Sequence, residues 1–262
     1  MQAILCWQGG KRSMVKELLR RVPPHRVYIE PFFGAGHLFW AKVPAETEII
    51  NDIDPQLMFF YRDFTKKPRF DCDMTPSREK WERIREKRRS GAPITACDFL
   101  FAIKYAFRCD AGKSYASKEA EICNASPNPK HCQVTNTVAH FDEYKARLRA
   151  TKIHNEDWRK VVTRYDCKDG FLFCDPPYLG TDCNYHSCEV NPAEIATFLS
   201  KVKCKVMVTL NDHPAVRAAF KGWKIERVNA LYSTGNYHGT KWTPNLIIRN
   251  YGGFYDGNEN HN

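Results

Sequence analysis

A chain of 262 residues with 43% hydrophobic and 27% charged residues carries enough apolar content for a packed core, as one large domain or as a core domain with a smaller insert. Its 40 Lys and Arg against 30 Asp and Glu, a formal +10 at pH 7, favour a polyanionic partner, because basic side chains release counterions when they neutralise phosphates. The 11 cysteines include no CxxC pair, and no apolar run matches a signal peptide or a membrane span. Zinc-finger, secreted and membrane classes therefore give way to a reducing cytoplasm with free thiols and no metal.

In chain order, residues 3–7 read as a short apolar strand, followed by Gln8-Gly9-Gly10-Lys11. An amphipathic helix over 13–21 places Met14 and Leu18 at helical spacing and stops before Pro23-Pro24. Residues 27–30 form a buried strand that runs into a glycine turn; a helix begins over 37–41, and 48–51 form the next strand, completing a βαβ unit. Residues 57–149 differ in character. They hold a charged helix over 80–89, in which Glu82 and Glu86 balance the basic residues, then a more apolar helix over 98–107 and a polar, turn-rich stretch after Gly112.

The α/β rhythm returns with buried strands over 152–154, 170–174 and 205–209, a helix near 192–201, and strands over 225–229 and 245–250 joined by a polar stretch. Alternation of this kind predicts a mainly parallel sheet, in which ligands bind at the carboxyl ends of the strands. That rule selects Glu30, Asp52, Asp157 and Asp175. The tail from Asp256 is polar and predicted to fray.

The sharpest motif is Asp175-Pro176-Pro177-Tyr178, directly after the apolar run Phe171-Leu172-Phe173-Cys174. Consecutive prolines stiffen the turn and remove competing N–H donors. A carboxylate, an outward carbonyl and an aromatic face result, which suit the two protons of a ring-bound amine and its flat ring. The second motif is Glu30-Pro31-Phe32-Phe33-Gly34-Ala35-Gly36, with Asp52 closing the next strand. Glycines admit close backbone approach and a carboxylate there holds ribose hydroxyls, although a plain tight turn also fits and the GxGxxG pattern is absent. Cys174 reads as a small buried hydrophobe rather than a nucleophile.

With Trp7-Gln8-Gly9-Gly10-Lys11 in front, these blocks closely resemble, in order, the WxGGK, EPFxGAG and DPPY motifs of the Dam-like D12 or alpha class of DNA adenine-N6 methyltransferases. The resemblance spans nearly the whole chain, tightly in the blocks and loosely in the insert. It implies a Rossmann-like α/β S-adenosylmethionine-dependent methyltransferase core, discontinuous over 1–56 and 150–262, interrupted by a mainly helical target-recognition insert over 57–149. The implied reaction is methyl transfer from S-adenosyl-L-methionine to the N6 amine of an adenine flipped out of double-stranded DNA. Methylation of cytosine N4, of adenine in RNA, or a silent DNA-binding relative are the alternatives.

The resemblance also implies roles. Asp175, Pro176, Pro177 and Tyr178 form the catalytic turn. Trp7, Gly10, Lys11, Glu30, Phe33, Gly34, Gly36, Asp52 and Asp175 line the cofactor site, with Asp157 and Trp158 near its adenine. Arg108, Lys113, Tyr115 and Lys118 in the insert, basic residues interleaved with aromatics, and Lys241 in a hairpin over 237–242 reach DNA. The insert departs from the family's asparagine- and glycine-rich recognition segment. The expected partner is double-stranded DNA and no membrane, the chain acting as a monomer with or without a companion restriction endonuclease.

Overall fold

The computed structural model describes residues 1–5, 7, 9–106, 115, 137–180, 191–233 and 240–253, with backbone alone at 231–233 and 240–242. The expected tail, the turn-rich stretch after Gly112, and Arg108, Lys113 and Lys118 lie outside the described residues. Two compact units share the chain: one comprises Met1–Gly10, Gly34–Gly36 and Pro55–Ile153, the other Lys11–Phe33, His37–Asp54 and His154–Asn262.

The described strands are β1 (Val27–Glu30), β2 (Thr47–Asn51), β3 (Lys152–His154), β4 (Gly170–Cys174), β5 (Lys205–Asn211), β6 (Lys224–Ser233) and β7 (Thr240–Arg249), in the order β3-β2-β1-β4-β5-β7-β6. β1 runs parallel to β2 and β4, and β4 to β5, while β7 is antiparallel to both β5 and β6. Every residue of β4 is buried, as expected of a central strand covered on both faces. The short β3, expected to be buried, is exposed at Lys152 and half-buried beyond it; it lies at the sheet edge, where one side lacks a neighbouring strand.

The second unit also carries a short turn of helix, Arg12–Met14, with α1 (Val15–Leu19) and α2 (His37–Ala41). α7 (Trp158–Tyr165), α8 (Pro192–Leu199) and α9 (Pro214–Ala219) complete it. Its core joins Ile29, Leu172, Val206 and Ile248 of the sheet to Val161, Ile195 and Val216 of the helices. Arg21 and Arg249 both pair with Glu226, fastening the chain beyond α1 to the antiparallel edge.

The first unit contains α3 (Pro55–Lys66), α4 (Arg78–Arg89), α5 (Ala96–Lys104) and α6 (Phe141–Ala150). Ser77 caps α4 by accepting from the Lys80 amide, and Thr95 with Asp98 forms a capping box on α5. Phe60 stacks on Phe99 with centroids 5.4 Å apart, and the Trp81 indole donates to the Ala102 carbonyl at 2.9 Å.

Two further expectations are overturned. Ala3, Ile4, Leu5 and Trp7, the described residues of the expected first strand, form no strand; Ala3, Ile4 and Leu5 are buried, so burial without sheet pairing accounts for the apolar run. Free thiols throughout do not hold either, because Cys72 and Cys97 form a disulfide. Close approach of the first turn of α5 to the segment before α4 brings the two sulfurs together, which separate positions in the sequence do not reveal. No helix among the described residues is long and apolar enough to cross a membrane.

Candidate active site

Strand register decides which sequence motifs share an edge. Ile29 of β1 lies level with Leu172 of β4 and Glu30 with Ile50 of β2. Because these strands run the same way, Glu30, Asp52 and Asp175 all emerge at the carboxyl edge. Cys174 pairs with Val208 of β5, so Thr209 stands beside Asp175.

Asp175 is 16% exposed, and its Oδ1 accepts from the Lys11 ammonium at 2.7 Å and from the Thr209 hydroxyl at 2.5 Å. Burial holds its carboxyl above the usual range, against the opposing pull of Lys11 and Thr209. The Lys11 ammonium also lies 4.5 Å from the centroid of the Tyr178 ring. One cation therefore joins the acid and the aromatic of the Asp-Pro-Pro-Tyr turn. Pro176 is buried and Pro177 half-buried.

The turn is held from β5. Asn211 accepts the Leu179 amide at 3.2 Å and donates to the Leu179 carbonyl at 3.1 Å, a two-point clamp one residue beyond Tyr178. Thr209 and Asn211 alternate with the buried Val208 and Leu210, which places the two polar side chains on one face of the strand.

Glu30 is 2% exposed and accepts from the Tyr28 hydroxyl at 2.7 Å. Burial pushes its carboxyl well above the usual range, and the neighbouring Asp175 charge pushes it further. Asn51, also fully enclosed, ties two loops to the end of β2. Its side chain donates to the carbonyls of Pro31 and Glu156 and accepts the Glu156 amide, while its own carbonyl accepts from Phe33. Asp52 follows, half-buried, with Oδ1 accepting the Asp54 amide at 3.0 Å. Asp157 caps α7 by accepting the Arg159 amide at 2.8 Å, and Trp158 packs on Phe32 with centroids 5.5 Å apart. Cys174 is buried with its thiol pushed well above the usual range by burial, which suits a core residue and not a nucleophile.

In the other unit Gly34 has φ +49°, and a Cβ there would approach Trp7 Cδ1 to 2.9 Å. Gly36 has φ +65°. Both angles and the close ring explain why glycine occupies the motif. Trp7 stacks on Phe99, and the Gly10 amide donates to the Trp7 carbonyl. Tyr115 pairs with Ala106 in an isolated bridge and packs near Trp81 and Tyr105. Lys241 lies on β7 opposite Tyr232. Thr209, Asn211 and Asn51 escape the motif search. Their signal is a polar residue at or near the carboxyl end of an otherwise apolar strand.

A mainly parallel sheet with an acid and a Pro-Pro-Tyr turn at its carboxyl edge is the arrangement expected of a Rossmann-like methyltransferase core. The chain belongs to the D12 class of N6 adenine-specific DNA methyltransferases, whose family profile matches residues 7–234. It is 26% identical to a DNA adenine methylase of Vibrio cholerae over 87% of this chain and 88% of that one. It is 23% identical to the type II methyltransferase M1.LlaDCHI of Lactococcus lactis, covering 94% of each chain. Identity is also 23% with the type II methyltransferase M.CviBI of Paramecium bursaria Chlorella virus NC1A, over 96% of this chain and all of that one. The protein is thus an adenine-specific DNA methyltransferase, with DNA as substrate and a methyl donor as co-substrate.

Proposed function

We propose that the donor is S-adenosyl-L-methionine, that the acceptor is the N6 amine of an adenine extruded from double-stranded DNA, and that the Asp175–Tyr178 turn receives it. Asp52, in the second unit, suits a nucleoside of this kind by offering a half-buried carboxylate to ribose hydroxyls. When bound, this cofactor supplies an electrophilic methyl group on a sulfonium.

The chain's own residues position the amine. Its lone pair is delocalised into the purine ring, so the nitrogen is a poor nucleophile. Hydrogen bonds accepted from its two protons by Asp175 and the Pro176 carbonyl favour a pyramidal nitrogen with an available lone pair, and the Tyr178 ring stacks on the base. The Lys11 ammonium, 2.7 Å from Oδ1, favours the charged form of Asp175 against the burial that raises its carboxyl. With a sulfonium donor bound, forming the N–C bond would break the methyl–sulfur bond and leave a neutral thioether, and Asp175 or water would take the surplus proton from nitrogen.

Residues 57–149 serve as the DNA-reading insert, with Arg108, Lys113, Tyr115 and Lys118 as its contacts and Lys241 as a contact from β7; alternating basic and aromatic residues support this. A monomer suffices, since the amine-binding residues belong to one chain, and a companion restriction endonuclease is compatible with it.

The observation that carries the proposal is Asp175, held by Lys11 and Thr209 beside Tyr178 at the edge where β1, β2 and β4 all end. Asp175→Ala is expected to abolish methyl transfer while largely retaining DNA binding, read by mass analysis of nucleosides from treated DNA and by duplex titration. N6-methyladenine formed at the normal rate by that variant would remove the assignment.

A further inference from the structure

We propose that Thr209 is a positioning residue for methyl transfer: with Lys11 it occupies Oδ1 of Asp175 and thereby reserves Oδ2 for the substrate amine. The assignment rests on Asp175 being the group that receives the amine.

The strand pairing makes the contact local. Cys174 is level with Val208, so the next residue along each strand, Asp175 and Thr209, are neighbours across the sheet. Thr209 is wholly buried among Val206, Met207, Val208 and Leu210. A hydroxyl in such a strand costs stability unless it is hydrogen-bonded, and valine would fill the same volume at no such cost. Its bond goes to Asp175 Oδ1 at 2.5 Å, the oxygen that also takes the Lys11 ammonium at 2.7 Å. Among the described residues no donor reaches Oδ2. Two donors on one oxygen, arriving from β5 and from the turn ahead of Arg12–Met14, fix the carboxylate against rotation and leave the second oxygen as the acceptor.

The groups facing Asp175 are Lys11, Thr209 and, at the end of β1, Glu30, whose charge state is coupled to that of Asp175; Cys174 precedes it with a protonated thiol. Thr209 donates to the charged form, so its removal moves the Asp175 carboxyl further upward. Activity needs that carboxylate ionised, so the acid limb of the pH–rate profile moves to higher pH.

The test compares Thr209→Val, Thr209→Ser and Asp175→Asn with the wild type on one DNA duplex with S-adenosylmethionine. Thr209→Val is expected to lower kcat roughly ten- to a hundredfold, with KM for DNA within about twofold, and to raise the acid limb. Thr209→Ser is expected to restore most of kcat and the limb. Wild-type kcat and pH profile in Thr209→Val, or a serine variant as impaired as the valine one, would overturn the assignment. Should Thr209→Val melt well below the wild type, Thr209→Ala replaces it. Alanine and serine differ only by the hydroxyl, and equal rates in that pair would overturn the proposal equally. Asp175→Asn separates the two levels: full turnover there sinks the catalytic reading itself, whereas a dead Asp175→Asn with a normal Thr209→Val sinks only the role of Thr209.

Discussion

Burial acts on Asp175 and His25 through the same force, pushing each toward its uncharged form. On Asp175 the Lys11 ammonium and the Thr209 hydroxyl oppose that push without cancelling it, and the carboxyl stays above the usual range. On His25 the Pro23 carbonyl and the Glu48 carboxylate oppose it less than burial and Lys42 drive it. The His25 Nδ1 lies 2.7 Å from the Pro23 carbonyl, which fixes the proton on that nitrogen, and Nε2 is buried with no partner among the described residues. The ring packs near Tyr28 and Phe171. Burial first, and then the Lys42 ammonium, lower its pKa to about 4. Above about pH 6.5 the imidazole is neutral in both folded and unfolded chains and its contribution is fully present. As pH falls from there toward about 4, the unfolded chain binds a proton that the folded chain refuses, and stability is lost. The upper bound for this one group is roughly 3 kcal/mol. His25→Phe, which fills the same aromatic niche, is expected to show a shallower loss of unfolding free energy between neutral and mildly acidic buffers. Denaturant titrations at several pH values measure it, and parallel curves for variant and wild type would mean that His25 titrates normally.

Among the elements, α5 carries both a local and a non-local constraint. Thr95 and Asp98 cap its first turn, and Cys97 in the same turn is joined to Cys72 across a sequence separation of 25. Closing a loop of that length restricts the unfolded chain by about 3.5 kcal/mol in the chain-entropy model. Reductant is therefore expected to lower the denaturation midpoint of the wild type and to leave a Cys72→Ser/Cys97→Ser variant unmoved; an equal response from both would rule out the staple. The pairing also marks where sequence reading stops. Contiguous apolar runs declare β1, β4 and β5, because strands covered on both faces need no alternation. The Asp-Pro-Pro-Tyr and glycine motifs declare the edge. α3 is not among the elements read from the sequence, which names no helix between the strand over 48–51 and the charged helix over 80–89. Residues 3–7 misled because an apolar run reports burial and not pairing. Thr209, Asn211 and Asn51 act through partners brought together by parallel register, such as Thr209 beside Asp175. A lone polar residue in a strand carries no trace of which neighbour it will meet.

Across the whole molecule, the formal charge of +10 is the quantity that burial cannot hide. Several enclosed charges cancel in place: Lys42 pairs with Glu48 at 2.6 Å, and Lys11 with Asp175 at 2.7 Å. The surplus is thus carried mainly by exposed Lys and Arg, where salt screens it and phosphates neutralise it. For a DNA methyltransferase this has a definite thermodynamic signature. If about five to eight phosphates are contacted, the logarithm of the binding constant falls with the logarithm of salt concentration with a slope between roughly −4.5 and −7. Raising salt from about 50 to 200 mM would then weaken binding by a factor on the order of 10³. Duplex titrations followed by fluorescence anisotropy at several KCl concentrations, without methyl donor, measure the slope directly. Arg108→Ala or Lys113→Ala is expected to make it shallower by about one if that side chain meets a phosphate. A variant that weakens binding to one DNA word while leaving the slope intact would instead identify a base contact. A salt-independent binding constant would show that the basic surplus takes no part in holding DNA.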